Sequence, residues 1–327
     1  MGQDKQQKTP LAVTIISGFL GSGKTTLLRR ILAKTPECGR IAVIENELGD
    51  VPIDDALLSD SSPARIDTVL GRTCCETRGA FVKLLRSVAE SAACYDRLVI
   101  ESTGVAHPGM MANSILSDPI LSEKLRVDGI VTVVDAVNFE EHLDGDGHAR
   151  EQVGYADSVI INKKDLSTPQ KIERLIEILR EINPAANYSV VERADADVFS
   201  LMNLGGFDAK KIGRSVSDCA SICGKTDHKP HEISTVAVKT DESYAFLTLK
   251  EWLEDYIALH REDIFRAKGI VSLANVDRQM VFQGVHDNFY VDLGERWGEG
   301  PRFSRLIFIG RNLNAEEIKS GLSKCRY

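Results

Sequence analysis

Short apolar runs alternate with helical periods along most of the chain. The runs fall at 11–16, 40–44, 98–100, 130–134, 159–161 and 188–191. Their near-continuous Val, Ile and Leu content predicts strands covered on both faces, as in a parallel sheet. Between them, 81–93 and 170–182 repeat apolar residues at helical spacing. This alternation predicts an α/β fold, a doubly wound and mainly parallel sheet over residues 11–207. The pattern then breaks. Ser215-Val216-Ser217-Asp218 and Gly224-Lys225-Thr226-Asp227 read as a linker over 208–231. A second set of elements fills 232–327. Strands are expected at 234–239, 270–273, 279–283 and 306–309, with helices at 247–259 and 314–324, Asn312 or Asn314 capping the last. That is a smaller α+β C-terminal domain. Residues 1–10 are polar and predict a disordered N-terminal tail.

Length agrees with two domains, because 327 residues exceed a comfortable single core. A net charge of −8 argues against a general nucleic-acid or anionic-membrane binder. No apolar run approaches membrane-spanning length, and the polar start lacks the apolar stretch of a signal peptide. Seven unevenly spaced cysteines then read as reduced thiols in a cytoplasmic-type compartment.

Three segments carry candidate chemistry. Gly18-Phe19-Leu20-Gly21-Ser22-Gly23-Lys24-Thr25 fits the phosphate-binding pattern G-x-x-x-x-G-K-[ST], between an expected strand and an expected helix. Its glycines let backbone N–H groups of Gly21, Ser22, Gly23 and Thr26 turn toward phosphate oxygens, and a helix N-terminus adds partial positive charge. Lys24 is expected on the β- and γ-phosphates and Thr25 on Mg²⁺. Asn162-Lys163-Lys164-Asp165 follows an expected strand, at the sheet edge where α/β proteins bind ligands. An aspartate such as Asp165 can accept two hydrogen bonds from guanine, and adenine offers no such pair. Leu98-Val99-Ile100-Glu101-Ser102-Thr103-Gly104 places an acid at a strand end and a glycine three residues later. Glu101 suits Mg²⁺, and the Gly104 N–H suits sensing a γ-phosphate, which is the logic of a nucleotide switch.

Together these segments resemble the CobW-type P-loop GTPases, relatives of the hydrogenase and urease nickel-insertion GTPases. The resembling stretches are 17–28, 44–58, 71–75, 101–108, 131–136 and 162–165, and in the second domain 265–270, 280–286 and 305–312. The resemblance implies a GTPase using GTP with Mg²⁺, whose hydrolysis is linked to delivery of a transition metal, zinc- or cobalt-like, to a client protein. No arginine finger or catalytic glutamine stands out in the sequence. Intrinsic turnover is then expected to be slow, with a partner or homodimer contact supplying the missing group.

The metal-binding motif of that family is Gly-Cys-x-Cys-Cys. Here the matching segment is Gly71-Arg72-Thr73-Cys74-Cys75, with a permanent cation at the first cysteine position. The segment Glu45-Asn46-Glu47-Leu48-Gly49-Asp50 matches the family's first switch. Glu45, Asp50, Cys74 and Cys75 could form a mixed thiolate–carboxylate site for Zn²⁺, Co²⁺ or Ni²⁺. The other reading is of two small buried cysteines beside solvated or Mg²⁺-associated acids. His107 stands where an acid is commoner in the family, and fits either a ligand or a structural role. Cys219, Cys223, His228 and His231 match no standard zinc spacing and read as linker. Two rival functions remain at this point: a metal-independent GTP switch acting through the C-terminal domain, and a small-molecule kinase, which the Asn162–Asp165 pattern disfavours.

Overall fold

Strands β1 (Leu11–Ser17), β4 (Arg97–Glu101) and β5 (Leu125–Asp135) lie side by side at the centre of the first sheet. Each is buried along almost its whole length, which explains the unbroken apolar runs. The computed structural model describes residues 9–34, 39–45, 67–68, 78–143, 147–207, 233–286 and 288–327. The other members of this sheet are β2 (Ile41–Glu45), β3 (Asp67–Thr68), β6 (Ser158–Asn162) and β7 (Asn187–Val190). The order is β3-β2-β4-β1-β5-β6-β7, and every pairing is parallel. Helices α1 (Lys24–Ala33), α2 (Arg78–Glu90), α3 (Pro108–Leu116), α4 (Pro119–Lys124), α5 (Phe139–Leu143), α6 (His148–Tyr155), α7 (Pro169–Ile182) and α8 (Val198–Met202) connect the strands.

The second unit is a five-stranded antiparallel sheet, in the order β11-β10-β9-β12-β8. Its strands are β8 (Ile233–Thr240), β9 (Ile264–Val271), β10 (Arg278–Val285), β11 (Asn288–Arg296) and β12 (Ser304–Arg311). Helices α9 (Phe246–Leu259) and α10 (Ala315–Lys324) complete it, and Asn314 caps α10. Side chains alternate between two cores. Ile233, Phe265, Ile270, Val281, Val285, Ile307 and Ile309 join the core of the first domain. Val236, Ile264, Ala267, Met280, Phe282, Leu306 and Phe308 pack with residues of α9 and α10. Both faces of this sheet are therefore covered, one by the first domain and one by its own helices.

Three differences from the sequence pattern have physical causes. Strand β9 begins at Ile264, ahead of the expected 270–273, because Arg266 and Lys268 are buried within it. Strand β11 is an edge strand in which Asp292 and Gly294 interrupt Phe289, Tyr290, Val291 and Leu293, so its apolar residues do not form a clean strand run. Helices α3 and α4 both start at a proline after a capping position, where proline's missing N–H is harmless. No helix among the described residues is long and apolar enough to cross a membrane.

The buried ions of β9 share a counter-charge. Asp157, in the turn between α6 and β6, accepts from Arg266 at 2.8 Å and from Lys268 at 2.6 Å. Its other oxygen accepts the Ile130 N–H at 3.0 Å. Arg266 also donates to the Gly206 carbonyl at 2.9 Å and lies 4.1 Å from the centre of the Phe207 ring. All three ions are at most 5% exposed. Burial works against the Asp157 carboxylate, but the two adjacent cations outweigh it and hold its pKa below the usual range.

Candidate nucleotide and metal site

The loop after β1 turns through Gly18, Gly21 and Gly23, all with positive φ. Gly23 shows why no side chain fits: its φ is 111°, and a Cβ there would lie 2.3 Å from Nδ2 of Asn162. Helix α1 then starts without a side-chain cap and with no acid in its first turn. Helices α4, α7, α8 and α10 have caps, from Asp118, Thr168, Asp197 and Asn314. An α1 terminus left open this way keeps its first N–H groups available for an anion. Lys24 is 4% exposed, and its ammonium donates to the Phe19 carbonyl at 3.1 Å, holding the side chain over the loop. Ser22 is buried, and Gly21 and Thr26 are exposed.

Two further elements meet this loop. The Thr25 hydroxyl donates to Oε1 of Glu101 at 2.7 Å. Glu101, the last residue of β4, is 1% exposed. A Cβ on Gly104 would lie 2.7 Å from the Leu20 nitrogen and 3.0 Å from its Cα. The backbone after β4 therefore presses directly on the phosphate loop, and only glycine permits it. Glu45 ends β2 in register with Glu101. Asp50, Cys74 and Cys75, with Arg72, lie outside the described residues, as do Cys219, Cys223, His228 and His231.

The Asn162–Asp165 segment is braced from several sides. Asn162 donates to the Ser22 carbonyl at 2.9 Å and accepts the Ala194 N–H at 2.7 Å. Its side chain thus ties the phosphate loop to the segment after β6. Lys163 takes a left-handed φ of 65° and pairs with Asp135 at 2.7 Å. Asp135 also accepts from the Val137 N–H and the Asn138 amide. Burial alone would raise the Asp135 carboxyl, but these bonds hold it below its ordinary value. Asp165 stands exposed in a short 3-10 turn, so its carboxylate faces solvent.

Sequence reasoning passed over Gln152 on α6. It donates to the carbonyls of Gly104 at 3.0 Å and Ala106 at 3.3 Å. It also missed Glu151, which accepts from His107 at 2.7 Å and from Arg311 at 2.8 Å. These partners lie more than forty residues apart in the chain, so no local spacing reveals them.

Comparison with known proteins places this arrangement. The family model for the CobW/HypB/UreG nucleotide-binding domain matches residues 12–190, and that for the cobalamin synthesis protein CobW C-terminal domain matches 233–326. The chain is 33% identical to the zinc chaperone YjiA of Escherichia coli, over 97% of this chain and 99% of that protein. It is 28% identical to the zinc-regulated GTPase metalloprotein activator 1 of Saccharomyces cerevisiae, over 98% of this chain and 85% of that one. The zinc chaperone CobW of Pseudomonas aeruginosa is 29% identical, over 95% and 90%. Among solved structures, Zn(II)-bound YjiA GTPase from E. coli superposes with a TM-score of 0.74 at 29% identity, covering 98% of this chain and all of that one. With both domains matched, this chain belongs to the CobW/HypB/UreG family of nucleotide-binding proteins.

Proposed function

We propose that this chain binds and hydrolyses GTP, and couples its nucleotide state to binding a zinc- or cobalt-like metal and delivering it to a client protein. The carrying observation is the convergence on the phosphate loop of Glu101, through Thr25, and of Gly104, through Leu20. A loop held this way by the end of β4 responds to whatever occupies it. Relatives named zinc chaperone and zinc-regulated GTPase metalloprotein activator support a metal as the cargo.

In this reading the amides of Gly21, Ser22, Gly23 and Thr26 wrap the phosphates, and Lys24 neutralises charge developing during transfer. Thr25 and Glu101 would hold Mg²⁺: a buried carboxylate hydrogen-bonded to a hydroxyl is an all-oxygen donor set suited to that hard ion. When bound, Mg²⁺ supplies positive charge to the β- and γ-phosphate oxygens. Gly104 senses the γ-phosphate. Asn162 and Lys163 shape the base pocket, and Asp165 reads guanine. Glu45, Asp50, Cys74 and Cys75 form the cargo site. The register of Glu45 with Glu101 supports a cargo site close to the nucleotide machinery. A partner or homodimer contact supplies the missing catalytic group, in a cytoplasmic-type compartment that keeps the thiols reduced.

Two measurements test this. Zinc or cobalt affinity is expected to differ between GDP-bound protein and protein bound to a non-hydrolysable GTP analogue, and to fall in Cys74→Ala. Identical affinity in all three samples sinks the coupling. Asp165→Ala is expected to lose roughly 10²–10⁴ of the preference for GTP over ATP, because it removes two hydrogen bonds to a charged acceptor. Competition binding reads this directly, and an unchanged preference removes Asp165 from base recognition.

Arg72 favours a second reading, a metal-independent GTP switch that recruits its partner through the C-terminal domain. Stoichiometric zinc that survives dialysis and is lost on Cys74/Cys75 substitution would end it.

A further inference from the structure

Away from the phosphate loop, three side chains with metal-ligand chemistry come together. His107, His148 and Glu151 each present one donor atom, and these atoms lie within 4.8 Å of one another. His148 and Glu151 sit three residues apart on α6, a spacing that shares one helix face. His107 arrives from the segment before α3, and its Nδ1 lies 2.7 Å from Oε2 of Glu151. The two imidazole rings meet edge to face at 4.9 Å. Glu151 is 7% exposed. Burial would raise its carboxyl, but the bond to His107 and the charges of His107, Arg311 and His148 keep it ionised below the usual range.

We propose that His107, His148 and Glu151 form a second transition-metal site, distinct from Cys74 and Cys75, that takes a divalent ion of the zinc type. Two imidazoles and one carboxylate match the three-ligand zinc set that leaves a fourth position open. Zinc bonds to such ligands are about 2.0–2.2 Å, so tetrahedral donor atoms sit about 3.3 Å apart. The ion therefore replaces the proton shared by His107 and Glu151 and moves the two donors apart by roughly half an ångström. His107 is partly exposed and has room to make that movement. Arg311 holds the second oxygen of Glu151 at 2.8 Å. It orients the carboxylate as an outer-shell partner does. Its charge also opposes a dication, which makes the ion exchangeable.

The site is wired to the switch. Gln152, next to Glu151, holds the carbonyls of Gly104 and Ala106. His107 follows directly. Any shift of the Gly104 segment moves His107 against the two ligands on α6, so the open coordination tracks the nucleotide. That linkage rests on the GTPase reading above, whereas the binding of the ion does not.

The test uses full-length protein with Cys74→Ser and Cys75→Ser, which removes the thiolates. Titrated with Co²⁺, this parent is expected to bind one ion with the visible absorption of a low-coordinate cobalt centre, displaced by Zn²⁺. Adding His148→Ala, His107→Ala or Glu151→Gln is expected to weaken binding at least about tenfold, since even outer-shell changes cost that much. Circular dichroism and GTP affinity show that each variant is folded. If His148→Ala does not fold, His107→Ala carries the test. A parent that takes up no cobalt, or variants that bind as the parent does, overturn the site. Cysteine-dependent, nucleotide-dependent zinc binding would survive that result, so the proposed function stands or falls separately. Equal cobalt affinity with GDP and with the GTP analogue overturns the linkage to the switch.

Discussion

Lys24→Ala protein is expected to hydrolyse GTP about 10²–10³-fold more slowly than wild type, the loss seen when one preorganised charge-stabilising donor is removed. Phosphoryl transfer asks little covalent chemistry of the protein and much positioning of positive charge. Lys24 meets that demand structurally. Its side chain is almost fully buried, and the Phe19 carbonyl holds its ammonium over the loop at 3.1 Å. The open N-terminus of α1 remains in the variant and should retain part of the nucleotide affinity. Single-turnover hydrolysis at saturating GTP separates the two effects. A rate within threefold of wild type would mean that Lys24 does not act on the transferring phosphate.

Asp157→Ala is expected to cost about 3–5 kcal/mol of stability, because removing one member of a buried ion set leaves the others uncompensated. Arg266 and Lys268 would keep their charges at 1% and 5% exposure without the Asp157 carboxylate that pairs with both. At about 2–4 °C per kcal/mol for a protein of this size class, the melting temperature should fall on the order of 10 °C. Asp157→Asn preserves shape and the Ile130 bond geometry, so a comparable fall there assigns the loss to charge. The pH dependence has a definite sign. The folded pKa lies below the ordinary aspartate value of about 3.9, so the contribution is fully present above that value. It is lost as pH falls through the lower folded value. Calorimetry should show the difference between wild type and Asp157→Asn steady from neutrality to about pH 5, and shrinking under stronger acid. A difference that grows under acid contradicts the assignment.

The sequence was most readable where burial is symmetrical and local. Strands β1, β4, β5 and β6 are apolar on both faces, so their runs stood out without any tertiary knowledge. The phosphate loop was readable because its glycines answer a backbone demand that no other residue meets. Strand β9 was only partly visible, because Arg266 and Lys268 look like solvent-facing residues until Asp157 is seen beside them. Edge strand β11 was obscured by Asp292 and Gly294, which break its apolar run. At the site, the residues of each motif were legible but their couplings were not. Asn162 meets Ser22 across 140 positions, Gln152 meets Gly104 across 48, and Glu151 meets Arg311 across 160. Such pairs are set by how helices lie on the sheet, which no local period records.

The shared core also bears on how the protein is made. Ile307 and Ile309, which help close the surface around Phe265 and Tyr155, lie on β12 near the end of the chain. A ribosome adding about 5–20 residues per second needs roughly 5–20 s to pass from residue 207 to residue 311. Through that interval the nascent first domain carries an uncovered apolar flank on α6 and α7. A nascent chain stalled before Ser304 would expose that flank and be prone to associate with other chains.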